Sequence, residues 1–323
     1  LPDSIDIREN VSIESELIAY YYNPVSSKSH QARLVSLLAT LAPAEGFIAS
    51  RLPGVMFFRS NHRIPRTPIA YDPGIAIIAQ GRKIGYLGAN KFVFDANHYC
   101  ALSVPMPFEF EAEGSPEKPL LGVKIGVTPA AVTELLVQME QSQPANGSQT
   151  QIMAAAALDD TLSGATIRLL ESLRSADDAR ILGPQIVREI LYHVLRGKLG
   201  RNLRVLAAPD SHFGQISRLL NRMHTDYARD YDIPTLARDA GMSVAAFHTR
   251  FKAITSSPPL QYLKNVRLHK ARMLMVQEGV NASGAAVKVG YESPSQFSRE
   301  FKRLFGNSPA TVAAELRGSL MQM

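Results

Sequence analysis

Between residues 55 and 125 apolar and polar positions alternate in short runs: 55–59, 75–80, 83–87, 92–95, 99–104, 108–111 and 120–125. Period-two patterning of this length predicts strands. Turn formers part the runs, among them Asp72-Pro73-Gly74, Gly81, Gly88-Ala89-Asn90, Ala96-Asn97 and Gly114-Ser115-Pro116. Seven short strands at this spacing predict a small β-barrel or sandwich. The flanks follow a helical period instead. Leu34, Leu37, Leu38 and Leu41 recur at i, i+3, i+4 and i+7, which predicts one amphipathic helix over 31–41. Thr128-Pro129 opens another, running to about residue 141.

Residues 141–151 (QSQPANGSQTQ) have no periodicity and predict a loop or linker. Residues 152–206 predict at least two helices, the second striped by Ile186, Val187, Ile190, Leu191 and Val194. So short a unit must pack on the barrel, on another subunit, or on both. Pro209-Asp210-Ser211 predicts a cap opening a wholly helical last region. The expected fold is α+β: residues 1–150 a small barrel with flanking helices, 151–208 a helical linker or dimerisation segment, and 209–323 an all-α region.

Charge is divided along the same line. Residues 209–323 hold fifteen Lys/Arg against nine Asp/Glu, whereas residues 1–208 hold twenty of each, so the whole net charge of +6 lies in the last third. That asymmetry points toward a polyanion. The single cysteine, Cys100, excludes an internal disulfide and fits a reducing compartment. No apolar run reaches the ~18 residues of a membrane span. The first twenty residues carry Asp3, Asp6, Glu9, Glu14 and Glu16 without an apolar core, so no signal peptide is expected and the expected location is cytoplasmic.

The basic third repeats itself. Ala237 precedes Gly241 by four residues, as Ala286 precedes Gly290; Phe247/Phe251 and Phe297/Phe301 follow, then Lys252 and Lys302, then Ser257-Pro258 and Ser308-Pro309. The offset between copies stays between 49 and 51 residues, which marks a duplicated unit. Each copy has the features of a helix-turn-helix. The alanine allows two helices to cross closely, the glycine supplies positive φ at the turn, and Ser243 or Ser293 caps the second helix. Leu263, Val266, Ala271 and Leu274 predict a longer helix joining the copies.

These residues carry a resemblance. LARDAGMSVAAFHTRFK, SSPPLQYLKNVRLHKARMLM and AAVKVGYESPSQFSREFKRLFGNSP resemble the DNA-binding domain of the AraC/XylS family of bacterial transcription regulators. TPIAYDPGIAIIAQGRKIGYLG and ANHYCALSVPMPFEFEA resemble the cupin-like ligand-sensing domain of one branch of that family, and PQIVREILYHVLRGKLG with DSHFGQISR continues the likeness. The resemblance implies double-stranded DNA and a small-molecule effector as partners, a homodimer, and RNA polymerase as a further contact.

With each Phe pair turned inward, Ala245, His248 and Thr249 face outward on the first reading helix, and Ser295, Gln296 and Arg299 on the second. These six are the expected base readers: Arg299 suits guanine and Gln296 adenine. Ser243, Arg250, Lys252, Ser293, Lys302 and Arg303 are the expected phosphate contacts. In the barrel, Arg59, Arg63 and Arg66 form a cationic cluster open to an anionic or nucleotide effector. His98 and Cys100 alternate on one strand and could line a cavity, with Cys100 a redox alternative. No metal set and no cofactor are expected, because the eight histidines are scattered with no His-x-His pair. A competing reading, an enzyme of the cupin type using the barrel, fails on ligands, because the sequence shows no metal triad, no Gly-rich phosphate loop and no Gly-x-Ser-x-Gly nucleophile. An adaptor binding protein or an acidic membrane through its basic helices is the other competing reading.

Overall fold

The computed structural model describes residues 27–88, 90–139, 153–208 and 211–321. The predicted linker 141–151, and Pro209 and Asp210, lie outside the described residues. Helix α1 (Ser27–Leu41) precedes nine strands: β1 (Gly46–Ala49), β2 (Val55–Ser60), β3 (Ile64–Tyr71), β4 (Gly74–Gln80), β5 (Arg82–Leu87), β6 (Asn90–Asp95), β7 (His98–Leu102), β8 (Met106–Glu113) and β9 (Leu120–Gly126). There follow α2 (Pro129–Gln138), β10 (Met153–Ala157), α3 (Asp160–Ser172), α4 (Ala176–Ile181), α5 (Gly183–Arg196) and α6 (Gly200–Arg204).

The strands form two antiparallel sheets, ordered β1-β2-β9-β4-β7-β10 and β3-β8-β5-β6. Pleating sends alternate residues of the larger sheet to opposite faces. Ile75 and Ile77 of β4 and Val123 and Ile125 of β9 share one core with Leu34 of α1, Leu169 of α3 and Val194 of α5. The stripe on α5 therefore does bury itself on the barrel. The other face sends Phe58, Ile78 and Leu102 against Phe94, Phe108 and Phe110 of the smaller sheet.

Three strands escape the pattern reading, each at an edge. β3 contains Pro65 and Pro68, which argue against a strand anywhere but an edge, where the missing N–H faces no partner. β1 is only four residues long. β10 is MAAAA, a composition that reads as helix and was expected to be helical; pairing with β7 from Met153↔Leu102 to Ala157↔His98 overrides the propensity.

The last third holds α7 (His212–Thr225), α8 (Ile233–Asp239), α9 (Val244–Thr255), α10 (Pro259–Gln277), α11 (Ala282–Lys288), α12 (Pro294–Phe305) and α13 (Pro309–Met321). Pairs α8/α9 and α11/α12 are the two helix-turn-helix units, and the 19-residue α10 joins them. Ala237 and Ala286 are buried at the crossings. The hydroxyls of Ser243 and Ser293 accept from the N–H groups of Ala246 and Gln296, at 3.3 and 3.2 Å.

Both turn glycines have positive φ, +63° at Gly241 and +83° at Gly290. They differ in surroundings. A Cβ at Gly290 would lie 2.5 Å from the carbonyl oxygen of Ala228, whereas at Gly241 its nearest neighbour would be a side-chain nitrogen of Gln215 at 3.8 Å. Gly241→Ala should therefore cost the left-handed penalty alone, about 1–2 kcal/mol. Gly290→Ala should cost visibly more, because backbone must also move. Urea melts of the two variants side by side check the order.

The reader is not tethered loosely to the barrel. The Tyr262 hydroxyl on α10 donates to the carbonyl oxygen of Pro105 at 2.6 Å, in a buried position. Arg272 donates to the carbonyl oxygen of Pro68 on β3 at 3.2 Å and lies 4.6 Å from the centroid of the Phe305 ring, at the end of α12. Arg272 thus connects β3 to both α10 and α12.

Candidate nucleic-acid interface and effector cavity

The reading helices present the residues that the Phe pairs predict. Phe247, Phe251, Phe297 and Phe301 are fully buried. Ring centroids in each pair stand 5.4 and 5.5 Å apart, so each pair locks the rotation of its helix. Ala245, His248, Thr249, Arg250 and Lys252 are exposed on α9, and Ser295, Gln296, Arg299, Lys302 and Arg303 on α12. Among the described residues, none of Arg250, Lys252, Arg299, Lys302 and Arg303 forms an ion pair. Five unneutralised cations lie on or beside two exposed helical faces.

Two side chains are already engaged. The Thr249 hydroxyl donates back to the Ala245 carbonyl at 3.0 Å, which turns its methyl group outward. The Gln296 amide donates to Glu300 at 3.1 Å. Glu300 also accepts from Lys264 and from the Tyr291 hydroxyl, each at 2.8 Å. Burial pushes its carboxyl up, yet these donors outweigh that and hold it below the ordinary carboxylate value. This network fixes the inner flank of α12. Sequence reasoning missed it, because Glu300 looked like one more surface acid between Arg299 and Phe301.

In the barrel the expected effector residues do not converge. Arg59 donates to Asn61 at 2.8 Å and to the Ala42 carbonyl at 3.1 Å. Arg66 pairs with Glu109, its Nε at 2.7 Å, and lies over the Tyr86 ring. Arg63 is exposed, and His98 pairs with Asp95 at the end of β7. None of these four lines the cavity between the sheets, whereas Cys100 does. Burial pushes the Cys100 thiol up to about 11, which keeps it protonated and a poor nucleophile at neutral pH.

That cavity has an empty volume of about 570 Å³ including its mouth. Its walls are apolar: Phe58, Ile78, Phe94, Leu102, Phe108 and Met153. Two lysines that the sequence reading did not single out, Lys83 and Lys124, enter it from opposite sheets. Lys83 is 8% exposed. Its ammonium contacts the Tyr71 hydroxyl and sits 4.2 and 4.7 Å from the centroids of Phe110 and Tyr71. The Lys124 ammonium lies 5.0 Å from the same Tyr71 ring. Register could have revealed both: Lys83 falls on the inward parity of β5, and Lys124 breaks the apolar LLGVKIG run.

Burial, helped by repulsion from Lys124, lowers the Lys83 amine from the ordinary lysine value to about 7. Burial lowers Lys124 as well, against the opposing pull of Asp72. An unfolded Lys83 keeps its proton up to about pH 10.4. The penalty of folding over it is therefore complete below about pH 7 and fades as pH rises toward the ordinary lysine value. The groups facing it are Tyr71, Cys100 and Lys124. Lys83→Met should raise the thermal midpoint most at about pH 6–7, with the gain vanishing by about pH 10. Dye-monitored melting across that range checks the trend.

Residues 51–202 match the AraC-type transcriptional regulator N-terminus family, and residues 236–315 match a helix-turn-helix domain family. The chain belongs to the AraC family of transcriptional regulators. The HTH-type transcriptional regulator AlkR of Acinetobacter baylyi is 36% identical over 95 residues, which cover 29% of this chain and 31% of AlkR. The transcriptional activator RhaS of Yersinia pestis is 26% identical over 130 residues, covering 40% of this chain and 47% of RhaS. The chain thus spans about a third to a half of the length of these curated relatives. Among solved structures, Vibrio cholerae ToxT bound to an unsaturated fatty acid aligns with a TM-score of 0.54 at 12% identity, covering 81% of this chain and 96% of ToxT. At that identity the likeness is one of fold: a two-sheet barrel followed by a double helix-turn-helix reader. No helix among the described residues of this AraC-family chain is long and apolar enough to cross a membrane.

Proposed function

We propose that this AraC-family protein is a cytoplasmic, non-enzymatic regulator that binds duplex DNA through α9 and α12 and is tuned by a small molecule held in its barrel. The observation that carries the reading is the exposure of Gln296 and Arg299 on a helix whose other face is locked by Phe297 and Phe301. Two such helices in one chain address two major-groove segments about one turn, roughly 34 Å, apart. A homodimer would address two such sites, and RNA polymerase is the further partner proposed for the bound complex.

The route from barrel to reader runs through β3. Tyr71, which touches the cavity, and Pro68, which accepts from Arg272, lie on that one strand. An occupant that binds one arrangement of β3 better than another shifts the stance of α10 and α12 by that difference in affinity and no more. ToxT, similar in fold, is bound to an unsaturated fatty acid in its structure, and this supports an organic effector for this chain.

Genomic fragments retained by the immobilised protein supply the test duplex. Mobility shifts with that duplex and its scrambled version should differ by about 1000-fold or more. Equal affinities, falling together with salt, would leave only nonspecific attraction to phosphate.

A further inference from the structure

We propose that the barrel's effector is an amphipathic monoanion, a carboxylate on an aliphatic or aromatic body, whose head is held between Lys83 and Lys124 and whose body fills the apolar cavity. This rests on the barrel being the sensing site and names the chemistry it recognises.

The argument begins from what the cavity lacks. Lysines are almost never buried unless paired. Here the buried Lys83 of β5 and the half-buried Lys124 of β9 enter one apolar space from facing sheets. Among the described residues no carboxylate comes within 4.0 Å of either ammonium. The acid that lines the cavity, Asp72, is exposed. Besides Lys124 and the Cys100 thiol, the neighbours of Lys83 are the Tyr71 phenol and aromatic faces. Ring faces recover part of the lost hydration, but they do not neutralise a second ammonium beside the same Tyr71 ring.

An entering carboxylate would remove that imbalance. It would face both lysine amines and the Tyr71 hydroxyl, in an apolar site that screens the pairing less than bulk water does, and its charge would favour the protonated form of Lys83. Apart from the exposed Asp72, the remaining wall carries no charge. It is Phe58, Ile78, Phe94, Leu102, Phe108 and Met153, with Phe47 close to Tyr71 and Phe58. Such a wall excludes a sugar, whose hydroxyls would find no partners. It also disfavours a dianionic phosphate group, whose second charge would remain uncompensated whenever Lys83 has lost its proton. A neutral lipid would leave both ammonium groups as they are. Position adds a consequence: a head group that draws on Tyr71 acts on β3, the strand that Arg272 grips.

The test uses the full chain and two matched probes, dodecanoate and 1-dodecanol, titrated by calorimetry at pH 7. Dodecanoate is expected to bind saturably and at least about tenfold more tightly than dodecanol, because only it pairs with Lys83 and Lys124. In the Lys83→Met/Lys124→Met double variant that preference should disappear, while dodecanol binds as well as before or better; the retained dodecanol binding shows that the variant is folded. Equal binding of both probes by the native chain would overturn the proposal, as would an unchanged preference in the double variant or no binding of dodecanoate at all. DNA retention is measured in the same samples. A chain that releases or grips its specific duplex with dodecanol as readily as with dodecanoate is still a barrel-tuned regulator without an anion site. A chain with no preference for any duplex has lost the regulator reading itself, whatever the probes do.

Discussion

Phe297→Ala is expected to unfold the second helix-turn-helix unit. The ring is fully buried, 5.5 Å from Phe301 and 5.3 Å from Tyr291, and it belongs to the separate core built from α10, α11, α12 and α13. Removing a buried phenylalanine costs about 3–5 kcal/mol. That core is small, so little remains to hold α12 in place. Loss of Phe297 would also free the Tyr291 hydroxyl and hence the Glu300 network beside Gln296. Hydrogen exchange should show residues of α11 and α12 exchanging early, with the barrel strands still protected. The first unit shares its core with barrel residues such as Met106 and Phe108. Phe247→Ala should therefore loosen the contact between reader and barrel as well. Loss of protection confined to α8 and α9 after Phe247→Ala would show that the barrel does not depend on the first unit.

Arg299→Ala is expected to cost about 1–3 kcal/mol on the specific duplex, roughly a tenfold to hundredfold loss, and to relax a single base position. The guanidinium is exposed and unpaired, so its removal costs the fold little. Lys302→Ala should behave differently. It should weaken specific and scrambled duplexes alike and reduce the slope of log affinity against log salt by about 0.9. Selection of bound sequences from a randomised pool separates the two. A variant lacking Arg299 that selects the native sequence with undiminished preference at every position would remove Arg299 from the base readers.

Much of the reader was legible in the chain because its signals are local. A Phe pair four residues apart sets which face of a helix is buried. A serine three residues before a backbone N–H makes a cap, and a glycine at the turn supplies positive φ. Each of these acts within one or two turns, and the duplication at 49–51 residues repeats the evidence. Gly241, Gly290, Ser243 and Ser293 all take the conformations their types predict.

The barrel was legible only as a class. Alternation found the central strands, yet β3 and β10 were hidden, because edge strands tolerate proline and alanine that a central strand would not. Arg59, Arg63 and Arg66 drew attention through proximity in sequence, but strand pairing sends them to Asn61, to solvent and to Glu109. Lys83 and Lys124 are 41 residues apart and looked like ordinary charges. Their meeting depends on which strands face each other.

By itself the sequence determined the two-part layout, the duplicated helix-turn-helix, its charge and the outward faces of its reading helices. These follow from short-range periodicity and from backbone preferences of single residues, which need no partner to express themselves. Tertiary structure alone decided what lies inside the barrel, and that β3 carries both a cavity residue and a contact to the reader. Those facts arise from register between strands far apart in the chain, and a shift of one residue would have turned Lys83 and Lys124 out of the cavity.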